Sequence, residues 1–218
     1  MLITNIAIFA VYWLSTQNIV FSNHFADFIE QNFVMIPNEI IHGQRLFTLF
    51  TSMFMHASWL HLLGNMLYLY IFGDNIEDVF GHVGYLVFYV FSGLAAAFAH
   101  TLLMVYAPLI SSLIGITIPA DLTVGLIGAS GAISGVLGAY LVLFPKAQIL
   151  SIIVYAIFPV QAVLFLGFWF IMQLLLGVFD LSGGVAYYAH IGGFLAGVIV
   201  TLTIGLRRKK ALKARFHM

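Results

Sequence analysis

Ser130 lies in the stretch Gly128-Ala129-Ser130-Gly131-Ala132-Ile133-Ser134-Gly135, between glycines and at the head of an apolar run. A serine so placed is either a helix-packing residue or a nucleophile. A nucleophilic serine needs a base within about 3 Å to take its proton. His190, in Ala189-His190-Ile191-Gly192-Gly193, is the candidate base. A third polar group comprises His56, His61 and Asn65. His61 and Asn65 share a helix face at i, i+4, and both can donate hydrogen bonds to a developing oxyanion. Such a set would catalyse acyl transfer to water. The His56, His61 and Asn65 group could equally hold a metal, relay protons or satisfy itself. His56 and His61 are five residues apart rather than four, with no thiolate or nearby carboxylate, which argues against zinc. No metal and no cofactor is expected.

The elements that position these residues must lie in lipid. Of the 218 residues, 62% are hydrophobic and only 7% charged, whereas soluble domains carry about 25% charged residues. So few charges cannot cover a water-facing surface. Cysteine is absent, which excludes disulfides and thiolate metal sites. Six of the eight Lys and Arg residues fall at Arg207, Arg208, Lys209, Lys210, Lys213 and Arg215. No large extramembrane domain and no nucleic-acid partner is expected. The N-terminus has neither a basic n-region nor a small-residue cleavage site, so no removable signal peptide is expected.

A span needs roughly 20 mostly apolar residues, and about six are legible: residues 3–21, 60–79, 83–107, 130–145, 160–177 and 188–206. A long acidic connection covers 22–45 and a Gly/Pro/Ser-marked one 108–124. Residues 149–158 are apolar but end at Pro159, which suits a segment partly at the interface. The basic tail places the C-terminus in the cytoplasm by the positive-inside rule, and six spans place the N-terminus there too. The expected organisation is an all-α polytopic membrane domain at 1–206 followed by a basic cytoplasmic tail at 207–218, in the cell membrane.

In this topology the second, fourth and sixth spans run in one direction, so depth can be counted from their inner ends. Ser130 lies 16 positions before Lys146, His190 17 before Arg207, and Asn65 16 before Gly81. Each count corresponds to roughly 24–26 Å at the helical rise, a few ångströms below the outer face of a core about 30 Å thick. Three polar groups on three spans thus share one plane. Ser130, Ser134 and Gly138 share a face, with Gly135 beside it, and His190, Gly193 and Gly197 share another. Small-xxx-small faces let membrane helices approach closely, which a short hydroxyl requires. The same glycines also suit plain packing, and the polar cluster also suits a transporter or channel path.

These residues resemble the rhomboid family of intramembrane serine proteases. Gly128-Ala129-Ser130-Gly131 matches the family's Gly-x-Ser-Gly nucleophile motif, and His190 with Gly192, Gly193 and Gly197 matches its histidine segment. His56, Ala57, Ser58, His61 and Asn65 match its His-rich second span; Gln44-Arg45-Leu46-Phe47-Thr48 and Glu77 with Gly81 match further positions. The resemblance implies a six-helix bundle whose fourth helix is short, central and begins at the nucleophile. It implies a partly membrane-embedded hairpin at 22–45, substrate access past the fifth helix, and a cap at 179–186. Extra domains and the seventh helix of some relatives are missing, so a minimal core is expected. Ser134 stands where some members carry an aromatic that stacks on the catalytic histidine, and Tyr187-Tyr188 where tryptophans are frequent.

The expected mechanism pairs Ser130 as nucleophile with His190 as base. The backbone N–H of Ser130 and the side chains of Asn65 and His61 hold the oxyanion, while Gly128 and Gly131 admit substrate backbone and His56 supports the polar face. Gly135, Gly138, Gly193 and Gly197 are packing positions. No acidic residue shares this depth, Asp180 being remote, so a Ser-His dyad is expected rather than a triad. Partners are transmembrane protein substrates and the bilayer. The alternative is a catalytically inactive relative that binds membrane proteins.

Overall fold

A computed structural model describes residues 1–153, 156–179 and 185–216. The chain is helical apart from one two-stranded ribbon among these residues. Helix α1 (Leu2–Thr16) stops short of the expected 3–21, because Asn18 adopts a positive φ of 55°. The 22–45 connection folds into α2 (Asn23–Phe33) and α3 (Pro37–Ile41). Arg45 ties them together. Its guanidinium donates to the carbonyls of Gln31 and Val34, the latter at 3.0 Å, and pairs with Glu39 at 2.9 Å. Helix α4 (Thr48–Thr51) leads through a 3-10 turn at Ser52–Phe54 toward α5.

Helix α5 (Trp59–Phe80) starts at Ser58, whose hydroxyl accepts the His61 N–H at 3.2 Å, a standard way to satisfy a free first-turn donor. It ends at Gly81, where φ is 72° and the N–H returns to Glu77 O at 2.6 Å. Helix α6 (His82–Ile114) follows directly and is longer than expected. Pro108 sits inside it rather than opening a loop, and the helix stops at Gly115 in the left-handed conformation. The missing Pro108 N–H is tolerable close to a membrane helix end, where local partners take up the freed carbonyl.

Helix α7 (Ser130–Leu143) is the hub: every residue from Gly131 to Tyr140 is buried. A helix apolar all round belongs inside a bundle. Ala132, Val136 and Leu137 meet Leu69, Phe72 and Ile76 of α5 and Tyr89 of α6 in one core. The apolar run before the fifth span forms an antiparallel ribbon of β1 (Gln148–Ile153) and β2 (Ala156–Gln161), with Gln148 opposite Gln161. Its β-branched Ile and Val content suits a strand, and Pro159 is tolerated because a two-stranded ribbon has only edges. Helix α8 (Ala162–Phe179) then packs loosely, burying only Ala162, Leu166, Gln173 and Gly177.

Helix α9 (Tyr187–Val200) continues beyond Val200. A π-helical turn at Thr201–Gly205 carries it into α10 (Leu206–Phe216). Arg208 donates to Phe80 O at 2.5 Å, and Lys209 donates to Leu143 O. These cations satisfy carbonyls at the C-terminal ends of α5 and α7, where the helix dipole favours positive charge. Among the described residues, three helical segments are long and apolar enough to cross a membrane, His82–Ile114, Ala162–Phe179 and Tyr187–Leu212. The chain is a multi-pass membrane protein. Helices α1 and α7 are apolar but shorter, and α5 carries Asp74, Glu77 and Asp78 at its last turns.

Candidate functional site

The loop before α7 delivers Ser130. Met35 and Leu126 exchange backbone hydrogen bonds at 3.2 and 2.7 Å, and Asn38 N–H donates to Leu122 O at 2.9 Å. Asp121 accepts from the Thr123 hydroxyl at 2.6 Å and its N–H at 2.8 Å, which holds the Asp121 carboxyl below its ordinary value. The α2–α3 hairpin therefore fixes the loop on one side. Gly128 then turns the chain at a φ of 115°, with its N–H donating to Ser52 O at 2.9 Å. A side chain at Gly128 would be strained by that φ and would also strike the site, for its Cβ would lie 2.7 Å from His61 Nε2.

Helix α9 brings His190 to Ser130. His190 Nε2 is 2.8 Å from Ser130 Oγ. The close approach comes from glycine meeting glycine. A Cβ on Gly193 would enter the carbonyl of Gly131, one on Gly197 would meet the backbone of Gly135, and one on Gly138 would enter the carbonyl of Phe194. Gly131 and Gly135 also lie against Ala96 and Ser92 of α6. Two helices in backbone contact can join a short hydroxyl to an imidazole, whereas alanines at these positions would hold them apart.

The α5 group faces the same point. His61 and Asn65 both lean on Gly128, with Asn65 Nδ2 3.6 Å from the position a Cβ would take there. Asn65 is 8% exposed, and its Nδ2 has no partner among the described residues. A buried unpaired donor costs about 1–3 kcal/mol, which a bound anionic oxygen beside Ser130 would relieve. The first backbone N–H groups of α7, including that of Ser130, lack intrahelical acceptors. His56, 2% exposed, stands edge-on to His61 with ring centroids 5.0 Å apart. No hydrogen bond joins it to Ser130 or His190 among the described residues. Among the described residues no group of three His, Cys, Asp or Glu side chains is arranged to hold a metal.

Ser134 does not approach the histidine; its hydroxyl donates to Ser130 O at 2.7 Å. Trp169 of α8 stands beside the His190 ring, tilted at 34° with centroids 6.0 Å apart, and Tyr187 meets it edge-on at 6.4 Å. The residue that reading the sequence missed is Gln173, whose Oε1 lies 2.8 Å from His190 Nδ1. The signal was available, because Gln173 carries the only amide side chain in the apolar α8, and polar groups on membrane helices face the bundle interior. Asp180 and most of the expected cap at 179–186 lie outside the described residues.

Residues 43–207 match the family model of the Rhomboid domain. The chain is similar to RHOMBOID-like protein 1 of Arabidopsis thaliana, 31% identical over 168 residues, covering 77% of this chain and 37% of that protein. It is 28% identical over 195 residues to the mitochondrial Rhomboid protein 1 of Saccharomyces cerevisiae, covering 84% of this chain and 50% of that protein. Rhomboid protease AarA of Providencia stuartii is 28% identical over 151 residues, 69% of this chain and 53% of that protein. The chain thus spans about a third to a half of the length of the curated relatives it matches.

Proposed function

The chain belongs to the rhomboid family, and on that premise we propose that it is an intramembrane serine endopeptidase cutting transmembrane proteins near the outer membrane face. The observation that carries this reading is the 2.8 Å contact of Ser130 Oγ with His190 Nε2 across two helices. In the proposed topology α1, α5, α6, α7, α8 and α9 each cross the bilayer of the cell membrane. Residues 1–206 form the membrane domain. The basic segment at 207–218 lies in the cytoplasm with the N-terminus.

Ser130 Oγ attacks the scissile carbonyl as its proton passes to His190 Nε2. The resulting oxyanion accepts hydrogen bonds from the Ser130 backbone N–H, Asn65 and His61. His190 then returns the proton to the leaving amine and an acyl-enzyme remains. Water repeats the sequence and frees Ser130. A transmembrane helix satisfies its own backbone and resists such attack, so the substrate must unwind, and Gly, Pro or small residues near the cut favour this. A cavity of about 10 Å³ opens beside Ser130 between Ser52, Gly93, Ala97 and Gly131, about the room one water needs. The loose packing of α8 supports access past that helix.

The test is purified protein in lipid vesicles with a fluorescent single-span reporter. The wild type cleaves it, and Ser130→Ala and His190→Ala do not. Absence of cleavage by the wild type across a panel of reporters would favour the inactive, membrane-protein-binding reading.

A further inference from the structure

We propose that Gln173 is a third member of the site, a positioning residue that holds His190 in the tautomer the reaction needs. This rests on the reading of Ser130 and His190 as nucleophile and base. Ser130 Oγ–H can donate to Nε2 only when that nitrogen is unprotonated, so a neutral His190 carries its proton on Nδ1. An N–H at this depth needs an acceptor, and Gln173 Oε1 stands 2.8 Å from Nδ1. Gln173 is 7% exposed, so water does not compete freely for the contact. Trp169 and Gln173 are four residues apart on one face of α8. One stands beside the imidazole at a tilt of 34° and the other reaches its Nδ1 edge. Helix α8 thereby abuts the ring through Trp169 and orients it through the Gln173 contact at Nδ1.

An amide differs from a carboxylate in what it does for the base. It fixes the tautomer and the ring's orientation without burying a charge, which would be costly at membrane depth. It gives little help to the imidazolium that forms as Ser130 attacks. The site is therefore a Ser-His-Gln arrangement in which the third residue supplies geometry and little electrostatic stabilisation. The other titratable groups near His190 are His61 from α5, His100 from α6 and Tyr187 on its own helix. No described carboxylate pairs with it. All three stay constant through the variants below.

The test compares wild type, Gln173→Leu and Gln173→Glu in vesicles, reading cleavage kinetics against pH. The His190 tautomer is read separately from imidazole 15N shifts, assigned by difference from His190→Ala. Gln173→Leu lowers kcat by about 10- to 100-fold with KM within about threefold, and the neutral Nδ1–H tautomer loses its dominance. Gln173→Glu retains the acceptor and keeps most of the activity, and its carboxylate favours imidazolium. The acidic limb of its pH profile therefore moves to higher pH by about one unit. A mere packing role predicts equal losses in both variants, an unmoved pH limb and an unchanged tautomer, and that result would overturn the proposal. Should the wild type not cleave any reporter, the protease reading fails, while the 15N shifts still decide whether Gln173 sets the tautomer.

Discussion

Adding one methyl group at Gly197 should uncouple the two reacting residues without touching either. A Cβ there would stand 2.6 Å from the carbonyl carbon of Gly135 and 2.7 Å from its Cα, whereas carbon atoms pack comfortably at about 3.5–4.0 Å. Both obstructing atoms are backbone, so no rotamer change gives relief, and α7 and α9 must part by about 1 Å. Ser130 and His190 lie on the same helix pair, one to two turns along. Their 2.8 Å contact would stretch to roughly 3.3–3.8 Å, past useful hydrogen-bond length. Misplacement of about 1 Å costs about 100-fold in rate, while overpacking costs about 1–3 kcal/mol of stability. Gly167→Ala is the matched control, because a Cβ there meets nothing within 4 Å. Initial rates of reporter cleavage, scaled to the folded fraction from thermal melts, should fall about 10- to 100-fold for Gly197→Ala and stay near wild type for Gly167→Ala. Equal rates for the two variants would refute the reasoning that backbone contact sets the reacting distance.

Asn65→Ala removes the unpaired donor beside Ser130 and should lower kcat by about 100- to 1000-fold with KM little changed; a loss no larger than that of Gly167→Ala would remove its oxyanion role. Arg45→Ala removes the ties to Gln31, Val34 and Glu39. It should cost about 2 kcal/mol, lowering the midpoint of thermal unfolding by about 5 °C, with a far smaller effect on kcat than Asn65→Ala.

Much of the candidate site was legible because its residues break the composition around them. Histidines, an asparagine and a glycine-flanked serine stand out in apolar helices, and counting from charged helix ends places them at one depth. Helical spacing pointed to close packing at Gly138, Gly193 and Gly197, whereas Gly131, expected to admit substrate backbone, lies against Gly193 and Ala96. What was missed has physical causes. Gln173 escaped because an uncharged amide is a weak signal, although lipid makes it as conspicuous as a charge. Pro108 was read as a breaker, but α6 runs on to Gly115, whose left-handed φ is the real stop. The run at 149–158 carries no periodicity that separates strand from helix, and it forms a ribbon. The contacts of Arg208 and Lys209 with the carbonyls that end α5 and α7 depend on tertiary placement, which the run of basic residues after 206 does not reveal.

The central claim is that Ser130 is a nucleophile activated by His190. The most direct measurement is the site of covalent modification when the protein in lipid vesicles meets a fluorophosphonate, read by mass spectrometry of the intact chain and its fragments. The account predicts a single adduct on Ser130 in the wild type and none in Ser130→Ala or His190→Ala. An unmodified wild type, or equal labelling of Ser130 in His190→Ala, would contradict it.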